Sequence, residues 1–206
     1  MRLDPFYLIV SDAAALEALV PRGVRLVQLR VKGADPADLR AQAIRARDCC
    51  ARHGAQLVLN DDWRLALDLG IDAVHLGQED MQDADFPALR RAGVRFGLST
   101  HDEDELARAL ALCPAYVALG PIYPTLLKQM PWAPQGLDRL ADWRRRIGDL
   151  PLVAIGGLVP DRLPGVFAAG ADAAAVVTDI QQAADPARRC DDWIAATRRY
   201  VSSPAK

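Results

Sequence analysis

Eight short apolar runs recur along the chain with helically patterned stretches between them, and this alternation limits the available folds more than any other feature. The runs are Phe6–Val10, Leu26–Leu29, Gln56–Leu59, Ala73–Leu76, Arg95–Leu98, Tyr116–Leu119, Leu152–Ile155 and Ala174–Val177. They are short and continuous, as parallel strands buried on both faces are. The intervening helical stretches include Pro36–His53, Asp62–Gly70, Glu103–Leu112, Leu137–Ile147 and Pro186–Tyr200. Pro36 and Pro186 suit a first helical turn, and each follows an Asp that can cap it. Gly54, Gly70, Gly93 and Gly170 fall near helix ends, where a left-handed residue is often needed. Eight β/α units in 206 residues predict an α/β chain folded as a single-domain (β/α)8 TIM barrel. A doubly wound sheet has the same alternation, which does not by itself prove closure. The barrel is expected to occupy residues 1–201, with 202–206 as a loose C-terminal tail.

Composition excludes several classes of function. A net charge of -2 and a pI near 5.9 offer no global attraction for nucleic acid. Arg144, Arg145 and Arg146 form a short basic run, expected as the solvated face of a helix. No run approaches the ~20 apolar residues of a membrane span. Met-Arg-Leu-Asp-Pro at the start lacks the apolar segment of a signal peptide, so a cytoplasmic protein is expected. Cys49 and Cys50 are adjacent while Cys113 and Cys190 stand alone, which predicts free thiols rather than a zinc site or disulfide framework. Trp132 and Trp143 are expected as scattered exposed residues that define no interface, leaving oligomeric state open.

In a barrel, chemistry gathers at the C-terminal ends of the strands. Asn60-Asp61 and Asp80 follow two successive runs. Adjacent strands lie about 5 Å apart, so the two acids can meet at one cation. Magnesium takes one or two carboxylates with water and phosphate oxygens, so Asp61 and Asp80 read as a diphosphate-bound Mg²⁺ site. Helix capping or loop solvation is the plainer role for such acids. Gln28, Arg30 and Lys32 alternate to one side after the second run, where a diphosphate or a set of salt bridges would meet the cations. Ser99, Thr100 and His101 end the fifth run as hydroxyl donors or a helix cap, with His101 a weak catalytic candidate. His75 reads as a hydrogen-bonded core residue and His53 as a helix-end cation. The connection from Gly120 to Gly136 is long for a βα loop and carries Lys128, which could close over phosphate. Gly156-Gly157 and Val177-Thr178 fall after runs seven and eight, the usual barrel phosphate site.

These residues resemble the thiamine phosphate synthase family over nearly the whole chain. The resemblance is carried in order by Tyr7-Leu-Ile-Val-Ser-Asp12, Gln28-Leu-Arg30-Val-Lys32, Asn60-Asp61, His75-Leu-Gly-Gln-Glu-Asp80 and Gly97-Leu-Ser99-Thr-His101. It continues through Gly120-Pro-Ile-Tyr-Pro-Thr125, Lys128, Ala133-Pro-Gln-Gly-Leu137, Ala154-Ile-Gly-Gly157 and Gly170-Ala-Asp172. It implies an enzyme joining a pyrimidine methyl diphosphate to a thiazole phosphate, releasing diphosphate and forming thiamine monophosphate. It makes Asp61 and Asp80 the Mg²⁺ ligands. Gln28, Leu29, Arg30, Val31, Lys32, Asn60, Ser99 and Lys128 would hold the pyrimidine diphosphate, and Thr125, Leu127, Gly157, Val177 and Thr178 the thiazole phosphate. Arg30, Lys32, Ser99 and Lys128 would be catalytic in a dissociative reaction, in which preorganised charge, not a protein nucleophile, does the work.

Two departures stand out. The family commonly carries Thr-x-Thr-Lys where this chain reads Thr125-Leu126-Leu127-Lys128, so one hydroxyl is missing. The segment Ala173-Ala-Ala-Val-Val-Thr178 replaces a usual glycine with alanine and a usual serine with threonine. A thiazole tautomerase of similar fold, or a thiamine-phosphate-binding protein without turnover, is the alternative reading. Retention of both acids with Arg30, Lys32 and Lys128 argues against the isomerase, which has no diphosphate to ionise.

Overall fold

The computed structural model describes residues 3–125 and 133–201. Its eight strands are β1 (Phe6–Val10), β2 (Leu26–Leu29), β3 (Gln56–Asn60), β4 (Ala73–Leu76), β5 (Arg95–Thr100), β6 (Tyr116–Leu119), β7 (Leu152–Ile155) and β8 (Ala173–Val176). All pair in parallel and in sequence order. The sheet closes where β1 meets β8, with Phe6 opposite Ala174, Tyr7 opposite Ala175 and Leu8 opposite Val176. The chain is therefore a (β/α)8 barrel and not a doubly wound sheet. The helices of the described residues are α1 (Ala13–Leu19), α2 (Pro36–His53), α3 (Trp63–Leu69), α4 (Phe86–Arg91), α5 (Glu103–Ala111), α6 (Gly136–Ile147), α7 (Leu163–Ala168), α8 (Thr178–Gln181) and α9 (Pro186–Thr197).

The period-2 geometry of a strand splits each apolar run between two cores. Phe6, Leu8 and Val10 face outward and join the layer under the helices. Tyr7 and Ile9 belong to a separate cluster with Leu26, Val58, Ala73, Tyr116, Val153, Ala173 and Ala175, which fills the barrel. Both faces are buried, so the runs read as continuously apolar.

Six of the helix starts rest on one device. Asp12, Asp35, Asp62, Asp85, Asp102 and Asp185 each accept a hydrogen bond from a backbone amide of the first turn. Each such cap is worth about 1 kcal/mol. Gly54 and Gly70 close α2 and α3 in the left-handed conformation, as their positions predict.

Boundaries differ from the sequence reading at three strands. β3 runs on to Asn60 and β5 to Thr100, because backbone pairing (Ser99 with Ala118, Thr100 with Leu119) continues after the apolar run has ended. β8 begins and ends one residue early, leaving Val177 beyond its end. Trp143 is a correction. It is fully buried rather than exposed, and its indole N–H donates to Thr100 Oγ1 at 2.9 Å. It lies on the inner face of α6 with Leu140 and Ile147, a placement that one residue type cannot announce. Arg144 also departs from its solvated reading. It donates to the carbonyls of Gly170 and Leu150 and pairs with Asp172, so it ties α6 to the β7 and β8 entries. The four thiols are free, with Cys113 exposed and the other three buried.

Candidate active site

The barrel mouth gathers most of the predicted residues from different strand ends. Asp61 follows β3 with φ of 63°, an uncommon conformation for a residue with a side chain. Its amide donates to the His75 carbonyl at 2.9 Å, which fixes it against β4. The neighbouring acid, Asp62, is consumed by the α3 cap through a 2.9 Å bond from Leu65 N. Asp61 is not, and its carboxylate pairs with Lys32.

Asp80 comes from the loop after β4 and accepts from Gly77 N at 3.1 Å. Burial raises the Asp80 carboxyl above its ordinary value, and the charge of Asp61 and a hydrogen bond between the two side chains raise it further. The Gly77 amide and Lys32 act the other way. The two acids, 19 residues apart in sequence, therefore face each other with Lys32 beside them. Opposed carboxylates concentrate negative charge that a hard dication would take up. Among the described residues no group of three or more His, Cys, Asp or Glu forms a metal cluster. A two-carboxylate donor set suits magnesium, which keeps water and phosphate oxygens in its shell, and does not suit a structural zinc site.

Gln28 is buried at 2% exposure, whereas Arg30 and Lys32 are exposed beyond the end of β2. Arg30 has no ion-pair partner among the described residues, and its amide extends the ladder to Val10 O at 2.8 Å. Leu29 is buried in the outer layer, so only its backbone can serve a ligand, and Val31 is partly buried against the same layer. Asn60 closes β3 opposite His75.

Ser99 does not cap α5, a task that belongs to Asp102. Its hydroxyl lies 2.8 Å from His75 Nε2, and its carbonyl accepts from Gln78 Nε2 at 2.6 Å. Thr100 is turned to the other face and donates to Ala118 O at 2.9 Å. His101 is held by Glu105, 2.7 Å from Nδ1. His75 is the hydrogen-bonded residue the sequence predicted, with Tyr116 Oη 2.9 Å from Nδ1. Burial, reinforced by Arg30 and opposed by Asp61, pushes this imidazole down to about 4, so it is neutral at ordinary pH.

Across the mouth, Gly157 has φ of 64°, and a Cβ there would stand 2.5 Å from Pro124 O. Gly156 has φ of 99° and would place a Cβ 2.6 Å from Pro121. The pair lets the β7 end press against Pro121–Pro124, with Tyr123 N bonded to Gly156 O at 3.1 Å. This brings the Gly157 backbone beside the segment that leads into Thr125. Val177 precedes α8 and Thr178 opens it. Leu127 and Lys128 lie outside the described residues, as does Trp132.

Sequence reasoning gave Tyr7 and Tyr116 no role. Inside the barrel they join Gln28 to His75 through their hydroxyls. The available signal was Gly97, which sits opposite Tyr116 in the β5–β6 register. A Cβ at Gly97 would lie 1.9 Å from the Tyr116 ring. A glycine inside a strand often marks such a close approach.

Comparison with known proteins gives a consistent result. The family model described as thiamine monophosphate synthase matches residues 6–180. A thiamine-phosphate synthase of Rhizobium etli is 59% identical over 202 residues, covering 98% of this chain and 99% of its own. One from Klebsiella pneumoniae is 46% identical over 196 residues, covering 95% and 90%. The solved thiamine phosphate pyrophosphorylase of Pyrococcus furiosus superposes with a TM-score of 0.84 at 21% identity, covering 97% of this chain and 98% of that one, and speaks for the fold.

Proposed function

The chain belongs to the thiamine monophosphate synthase family, and we propose that it joins an aminopyrimidine bearing a diphosphooxymethyl group to a methylthiazole bearing a phosphoethyl group, or its carboxylate form. The products are thiamine monophosphate and diphosphate. The observation that carries this reading is the meeting of Asp61 and Asp80 beside Lys32 at one edge of the barrel mouth. An isomerase would have no use for that concentration of paired charge.

The bond that breaks is between the pyrimidine methylene carbon and the diphosphate oxygen, which leaves with the electron pair. The ring amino group donates electrons into the resulting cation, and the thiazole nitrogen then supplies the pair for the new carbon–nitrogen bond. Asp61 and Asp80 would hold magnesium, which when bound supplies positive charge to the departing diphosphate. Arg30, Lys32 and Lys128 place further positive charge around that leaving group, and Ser99 and Asn60 offer it hydrogen bonds. Gln28 and the backbone of Leu29 and Val31 orient the pyrimidine end. Thr125, the Gly157 amide, Val177 and Thr178 receive the thiazole phosphate, with Leu127 taking the place of a family hydroxyl. Neither step needs a protein nucleophile. Holding both substrates in line is itself a large share of the catalysis.

A diphosphate-release assay with both substrates and magnesium tests the reading. Release that requires both substrates and yields thiamine monophosphate supports it. Binding without release would leave a non-catalytic thiamine-phosphate-binding protein.

A further inference from the structure

Five side chains from five strands form one hydrogen-bonded line through the barrel. Gln28 Nε2 donates to Tyr7 Oη at 2.9 Å, and the two tyrosine hydroxyls lie 2.9 Å apart. Tyr116 Oη is 2.9 Å from His75 Nδ1, and His75 Nε2 is 2.8 Å from Ser99 Oγ. The two ends, Gln28 and Ser99, belong to the pyrimidine diphosphate set, while the three groups between them do not.

Counting protons gives the line a direction. An amide nitrogen has no lone pair to offer, so Tyr7 Oη must accept from Gln28. Tyr7 then has one proton to give. If Tyr116 donated to it instead, the Tyr7 proton would be stranded in a site only 1% exposed, at the cost of a buried unsatisfied donor. Tyr7 therefore donates to Tyr116, and by the same count Tyr116 donates to His75 Nδ1. A neutral imidazole whose Nδ1 accepts carries its proton on Nε2. That proton goes to Ser99 Oγ, which leaves the serine's own proton free for a ligand.

We propose that Tyr7, Tyr116 and His75 are positioning residues that hold the Ser99 hydroxyl as a hydrogen-bond donor to the departing diphosphate. The inference rests on the reading of Ser99 as a contact to that group. Burying two tyrosine hydroxyls and partly burying an imidazole beside a barrel interior otherwise filled with Ala, Val, Leu and Ile is costly unless every bond is made. Gly97 gives up its side chain so that the Tyr116 ring fits, and that ring also stacks on His75 with centroids 5.6 Å apart. A hydroxyl that must accept from His75 cannot rotate to waste its proton on the imidazole, so the donor is in place before the leaving group acquires its charge.

The test combines kinetics with the histidine tautomer. Nitrogen-15 NMR of the substrate-free protein is expected to show His75 protonated at Nε2 and bare at Nδ1, and Tyr116→Phe to lose that preference. Tyr116→Phe and Tyr7→Phe are each expected to lower kcat about tenfold, while KM for the pyrimidine diphosphate stays within about threefold. In a Ser99→Ala background, Tyr116→Phe is expected to cost nothing more. The proposal is overturned if wild-type His75 carries its proton on Nδ1, if both Phe variants keep wild-type kcat, or if their losses multiply on top of Ser99→Ala. Ser99→Ala at the wild-type rate would overturn it through its premise, and the wild-type tautomer separates that failure from a broken line. Should Tyr116→Phe fold poorly, Tyr7→Phe puts the same question from further along the line.

Discussion

On the β2–β4 side of the barrel mouth the functional groups are side chains, while on the β6–β8 side they are mostly backbone. Arg30, Lys32, Asp61 and Asp80 extend from strand ends and their loops, and the two acids are held against one another. Across the mouth, Gly156 and Gly157 contribute amides and carbonyls in left-handed conformations, packed against Pro121–Pro124. The difference fits the role proposed for each side. A leaving diphosphate gains charge during the reaction, so mobile, strongly charged groups and a metal suit it. A phosphate that stays attached and unchanged needs only a fixed cradle, which backbone donors provide at little entropic cost. The charged side stores electrostatic conflict, and the glycine side stores conformational restriction.

If this division holds, the largest effect comes from the charged side. Asp80→Ala is expected to lower turnover by about a thousandfold or more, the scale of losing metal charge stabilisation, while the protein stays folded. Steady-state kinetics across magnesium concentrations check it, and near-wild-type activity at limiting magnesium would break the comparison. Next comes Gly157→Ala. A side chain at φ of 64° with Pro124 O at 2.5 Å is expected to destabilise the fold by roughly 2–4 kcal/mol and to weaken thiazole phosphate binding. Denaturant unfolding and calorimetric titration measure the two separately.

Thr178→Val sharpens the comparison by removing the one side-chain hydroxyl at the start of α8. It is expected to weaken thiazole phosphate binding by about 1–3 kcal/mol with little change in the chemical step. A loss confined to the single-turnover rate would mean the two phosphates occupy the opposite sides. Leu127→Thr restores the family hydroxyl and is expected to change thiazole phosphate affinity by no more than about tenfold, or ~1.4 kcal/mol, if backbone donors dominate. A hundredfold gain would show that they do not.

The smallest effect is on stability and pH. Because the Asp80 carboxyl is raised above 3.8 in the folded protein, folding binds protons there. Asp80 therefore costs stability progressively as pH rises through that window, and the full cost is present at neutral pH. With magnesium chelated, Asp80→Asn is expected to be more stable than wild type at pH 7, with the gap closing as acid protonates Asp80. Thermal unfolding across pH reads this directly, and a gap that widens in acid would remove the conflict attributed to the charged side.

Much of this was legible in local sequence. Runs with strand-like continuity, Asp before Pro, and glycine after a helix are short-range signals, because capping and backbone preference act within one or two turns. That is why α2 begins at Pro36 and ends at His53 as predicted. Asp61 and Asp62 show where such reading stops. They are chemically identical neighbours, yet one caps α3 and the other turns to Lys32, a choice made by a positive φ and the β4 backbone. Trp143 was misread for a related reason. Which face of a helix is inward depends on what packs against it, and only Thr100 and its surroundings decide that.

The sequence by itself determined the order of elements, the (β/α)8 pattern, and the cations and acids that sit just past strand ends. Those properties are local, set by periodicity and by the polarity of residues at fixed offsets. The tertiary structure alone decided that β1 pairs with β8, that Asp61 faces Asp80, and that Gln28, Tyr7, Tyr116, His75 and Ser99 form one line. Such contacts join Tyr7 to Tyr116, 109 positions away, and Leu8 to the still more distant Val176, and a tyrosine in an apolar run has the same local pattern whether its hydroxyl is paired or not. Closing the barrel brings the interior faces of distant strands within hydrogen-bond reach, so the pairing belongs to the closed sheet and to no single segment of the chain.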